Sequence, residues 1–138
     1  MNVNIKKSID LNIEKLNLST NKLIKQFNNK TYTNLQHNIV NFKTLTDKIL
    51  DMFYKIIHTE KNLEPNTLND TKKYTIFIID IVKKLCNKKM FMIISAKYHS
   101  VFDNIRLAFE RLNKDVDFLH HLSLIPLGSV INLYQKIE

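Results

Sequence analysis

The side chains able to do chemistry in this chain are few and scattered. Five histidines (His37, His58, His99, His120, His121) and one cysteine (Cys86) are the candidate metal ligands and nucleophiles. A zinc site needs three or four ligands meeting tetrahedrally, and local pairs such as C-x-x-C or H-x-x-x-H usually seed it. The one local pair here is His120-His121, and adjacent residues on a helix diverge by about 100°. As a nucleophile, Cys86 would need His99 or His121 as its base. It lies beside Val82 and Leu85 in an apolar repeat, where burial keeps a thiol protonated and unreactive. Ser95, Ser100, Ser123 and Ser129 lack the glycines of a nucleophile elbow. Asp103, Glu110, Asp115 and Asp117 have Arg or Lys at helix-neighbour spacing, the pattern of solvated ion pairs. We therefore expect no catalytic residue, no metal, no cofactor and no small-molecule substrate.

Composition leads the same way. The chain of 138 residues holds one glycine (Gly128), two prolines (Pro65, Pro126) and no tryptophan. Phosphate cradles, oxyanion loops and tight hairpins draw on glycine, so most of those devices have no material here. The formal charge of +8 favours anionic partners: nucleic acid, acidic lipid or acidic protein. Asn, Ile and Lys fill roughly two positions in five, and alanine occurs at Ala96 and Ala108 alone. That usage fits an A/T-rich genome, such as that of a large DNA virus, which supplies lysine codons freely. Bidentate recognition of phosphate or guanine prefers arginine, and Arg106 and Arg111 are the two arginines present. Nucleic-acid binding is thus the alternative function. Its candidate residues are Lys73, Lys83, Lys84, Lys88 and Lys89, with Lys73 and Lys84 eleven residues apart on one helical face.

The elements that would carry these residues are helices. Ile9, Ile13, Leu16, Thr20, Leu23 and Phe27 recur at steps of four and three, as do Leu35, Ile39, Phe42, Thr46, Ile49, Phe53 and Ile56. Asn28-Asn29-Lys30-Thr31 breaks the two stripes, and Thr33 to Gln36 fits a capping box at the second entry. Residues 1–57 therefore form an αα-hairpin, 58–71 a polar linker ending in an N-cap at Asn69-Asp70, and 72–138 a C-terminal helical bundle. Residues 72–88 are apolar nearly all round, as a central helix would be. Helices over 90–114, near 115–124 and after Ser129 complete an all-α fold of about five helices. The alternative is an α+β fold in which 74–82 and 90–96, rich in Ile and Phe, pair as strands.

No apolar run approaches the length of a bilayer span, and the N-terminal residues lack a signal-peptide core. With a lone cysteine, the expected location is intracellular and not secreted. The expected function is non-catalytic protein interaction or assembly, the partner being another protein or a second copy. Leu11 and Leu18, seven apart and opposite the main stripe of the first helix, are one set of candidate contacts. Asp103, Arg106 and Glu110 on the arginine-bearing face of the later helix are the other.

Overall fold

Apolar side chains that recur every three or four residues come together only on a helix, and helices account for almost all of the described backbone. The computed structural model describes residues 3–31, 33–59, 65–86 and 96–124. It contains α1 (Val3–Asn29), α2 (Leu35–Thr59), α3 (Pro65–Cys86) and α4 (Ala96–Leu124), with no strand among the described residues.

Each helix packs along two neighbours, giving a four-helix bundle. α1 and α2 run antiparallel: Asn12 meets Met52 near one end, and Gln26 meets Asn38 near the other. α3 and α4 are also antiparallel, with Lys72 bonded to Asp117 and Cys86 lying beside Asp103 and Arg106. α2 and α4 lie side by side and parallel, with Phe42 against Phe102 at a centroid distance of 5.5 Å. α1 touches α3 more sparsely, through a hydrogen bond from the Tyr74 hydroxyl to Asp10. α1 and α4 are therefore diagonal across the bundle. The centre is filled by five fully buried phenylalanines, Phe27, Phe42, Phe53, Phe102 and Phe109, together with Leu and Ile from every helix. Fully burying one such side chain stabilises the fold by about 1.5–3 kcal/mol.

The hairpin between α1 and α2 turns without glycine. Lys30 takes a left-handed conformation (φ 54°), and the Thr31 N–H donates to the Gln26 carbonyl at 3.1 Å, closing α1 as a Schellman motif. Asn34 is also left-handed (φ 59°), and its carbonyl accepts the Asn38 N–H that opens α2. Gln26 ties the two ends together. Its Nε2 donates to the Thr33 carbonyl at 2.7 Å, and its Oε1 accepts from Asn38 Nδ2 at 2.8 Å. A side chain from α1 thus fastens the entry of α2, where the sequence suggests a local capping box.

Three expectations need correction. The described helices number four, because residues expected as a separate piece after Lys114 continue α4 without a break to Leu124; the helix expected after Ser129 lies outside the described residues. The α+β alternative fails, since residues 74–82 are helical within α3, while 90–95 lie outside the described residues. α3 also starts at Pro65, seven residues inside the expected linker. Proline suits a first helical position. Thr67, Thr71 and Thr75 are buried, and the hydroxyls of Thr71 and Thr75 bond the carbonyls four residues back at 2.9 and 2.7 Å. A threonine satisfied by its own helix presents a methyl group to the core, so a segment that reads as polar packs as apolar.

Candidate interaction surface

Leu11 and Leu18 lie on the outer side of α1, away from the stripe of Ile9, Leu16 and Leu23 that enters the core. They are 52% and 68% exposed, so neither α2 nor α3 covers them. Seven residues on a helix are almost two full turns, which puts the two side chains in line about 10 Å apart. Asp10, Glu14, Lys7 and Lys15 surround them, all exposed, so both signs of charge border the apolar pair.

Asp103, Arg106 and Glu110 come together as a chain of ion pairs along α4. Arg106 Nη1 donates to Glu110 Oε1 and Oε2 at 3.1 and 3.2 Å, and Nη2 stands 3.8 Å from Asp103 Oδ1. The guanidinium is thereby committed to its own helix, and the cluster flanks the α3 side of α4 near Cys86. It is separated from Leu11 and Leu18 by the width of the bundle, so the two expected sets are separate places on the molecule.

Of the lysine candidates, Lys73, Lys83 and Lys84 are exposed on α3, with Asp80 among them, whereas Lys88 and Lys89 lie outside the described residues. Cys86 is half-buried. Burial pushes its thiol up, the Asp103 carboxylate raises it further, and Arg106 partly offsets both, so the thiolate is disfavoured. Among the described residues no three His, Cys, Asp or Glu side chains converge as metal ligands, and no helix is long and apolar enough to cross a membrane.

The sequence pattern did not single out the outer face of α4. Phe102, Ile105, Phe109, Leu112 and Val116 make its buried stripe, while Leu107 and Phe118 point outward, 45% and 61% exposed. Their spacing of eleven residues, out of step with that stripe, is the signal that marks them. Ile76 on α3 is similarly 41% exposed, although its helix reads as central. Comparison with family models, with curated proteins and with solved structures finds no match to this chain.

Proposed function

We propose that this protein is a non-catalytic interaction and assembly factor that associates with a second copy of itself through the outer face of α1. The observation that carries this reading is the in-line exposure of Leu11 and Leu18 on a helix whose other leucines, Leu16 and Leu23, are fully buried. Single exposed apolar residues are ordinary on a protein surface; a pair at heptad spacing makes a seam. α1 has 27 residues and so spans about 40 Å, length enough for an interface of standard size. The bordering charges are of both signs, Asp10 and Glu14 beside Lys7 and Lys15, as a surface that meets its own copy requires. The non-catalytic part of the reading is supported by Cys86, the one thiol, whose surroundings oppose ionisation.

The test is the variant Leu11→Asp with Leu18→Asp, followed by sedimentation velocity. Because both side chains already face solvent, the variant is expected to keep its helical circular dichroism and to sediment as a monomer, while the parent sediments as a dimer or larger. Identical sedimentation of the two proteins would overturn the reading. Loss of oligomer with rising salt, coupled to release of nucleic acid, would instead favour the lysines of α3.

A further inference from the structure

The outer side of the parallel α2–α4 pair is hollowed twice. Val40 and Tyr98 line the first hollow beside His37, near the start of both helices. Asp47 and Ile105, each seven residues further along its helix, line the second, with Leu50, Val101 and Ala108. Ala108 is one of two alanines in the chain, and its short side chain leaves the gap between α2 and α4. The gap measures about 250 Å³, and a cavity of about 150 Å³ already takes a benzene ring, so a leucine side chain fits it. Seven residues put the two hollows about 10 Å apart, which is the spacing of Leu11 and Leu18 on α1.

Charge decides which part of a second copy the α1 seam meets. Counting Lys and Arg against Asp and Glu, α1 carries five cations to two acids, and Asp10 already accepts a hydrogen bond from Tyr74. α2 and α4 together carry seven cations to six acids. At the rim of the second hollow, Lys43 and Asp47 satisfy each other at 2.6 Å. A cationic helix laid on its own counterpart is repelled, whereas the balanced α2–α4 face receives it with little penalty. That face is open to a partner: Val40 is 54% exposed, and Lys43, Asp47 and Asn104 face solvent around the second hollow.

We infer that Leu11 and Leu18 of one molecule seat in the two hollows between α2 and α4 of the next. The inference rests on self-association through α1 and names what that seam meets. Such a contact is heterologous, because the seam and the hollows belong to different sides of the bundle. A bound pair still offers one free seam and one free groove, so assembly continues past the dimer to a closed ring or an open chain.

Mixing two complementary variants of the full chain tests this. Leu11→Asp with Leu18→Asp spoils the seam and keeps the groove; Val40→Glu with Ala108→Glu spoils the groove and keeps the seam. Each is expected to sediment as a monomer with its helical circular dichroism intact, and an equimolar mixture is expected to form a 1:1 dimer that grows no further. A contact between two identical surfaces cannot be rescued in this way. Val40→Glu alone changes a side chain that already faces solvent, and it should weaken self-association about tenfold, which keeps the test decisive if the double groove variant folds poorly. Self-association of Val40→Glu at the strength of the parent, or a mixture that stays monomeric, would overturn the inference and leave the α1 seam standing. A parent protein that is monomeric throughout would remove the seam and the inference together.

Discussion

Lys30 shows how a single residue bears the cost of a chain nearly without glycine. It occupies the left-handed position that closes α1, a conformation that crowds a β-carbon and costs roughly 1–2 kcal/mol in a non-glycine residue. Lys30→Gly relieves the crowding and gives back part of the gain as unfolded-chain entropy, so it should raise stability by about 0.5–1 kcal/mol. A higher urea midpoint with an unchanged slope checks this; an unchanged or lower midpoint contradicts it. Asn34, also left-handed, should gain less from the same change, because asparagine tolerates that region.

Tyr74 gives a second prediction tied to one side chain. Burial, the hydrogen bond to Asp10 and the nearby Asp10 and Asp70 carboxylates all favour the neutral phenol, so its pKa is pushed up from 10.0 to about 12. A folded-state pKa above the unfolded one means the stabilisation is complete below pH 10 and is lost as pH climbs towards 12. In a phenolate absorbance titration the last tyrosine to ionise should do so near pH 12, and Tyr74→Phe should remove that step. Loss of a phenol that ionises near pH 10, with the last step kept, would rule out the clasp between α1 and α3.

The helices themselves divide sharply into inner and outer sides, and α1 makes the contrast testable within two residues. Leu16 is fully buried and Leu18 is largely exposed. Leu16→Ala should cost about 2–5 kcal/mol by leaving a cavity, whereas Leu18→Ala should stay within about 0.5 kcal/mol. Similar losses from both, measured by urea unfolding, would mean that α1 is rotated relative to this account.

The same contrast explains what the amino-acid pattern reveals and what it hides. The stripes of α1 and α2 are regular enough that every residue from Leu35 through Phe42 and Thr46 to Ile56 in the expected series is buried. α3 is harder to read because Thr67, Thr71 and Thr75 are buried, the last two with their hydroxyls bonded to backbone carbonyls, so polar residues at its start read as a linker. Its run of β-branched isoleucines suggests a strand for a related reason: branching suits a pleated sheet but is tolerated on a helix held by tertiary packing. In α4, Leu107 and Phe118 put apolar residues on both sides of the helix, so periodicity alone does not reveal its outer face. Long-range partners such as Asp10 with Tyr74, or Lys72 with Asp117, are separated by 64 and 45 residues and leave no local trace.

As a whole, the molecule is a basic four-helix bundle whose interior is closed by phenylalanine and whose exterior is uneven. Charges of both signs lie on every helix, with five cations to two acids on α1 and eight to six on α3 and α4 together. A net charge of +8 distributed in this way makes ionic strength a discriminating variable. Association through an apolar seam should survive high salt, while attraction to a polyanion should fade within it.

The most direct measurement is the molar mass of the purified protein by light scattering during size-exclusion chromatography, at low and at high salt, with absorbance recorded at 260 and 280 nm. Without tryptophan the protein absorbs weakly, so bound nucleic acid would stand out. Assembly through α1 predicts a dimer or larger species at both salt concentrations, a low 260/280 ratio, and a monomer for Leu11→Asp with Leu18→Asp. A parent protein that is monomeric at high salt, or that carries nucleic acid at low salt and releases it as salt rises, would contradict it.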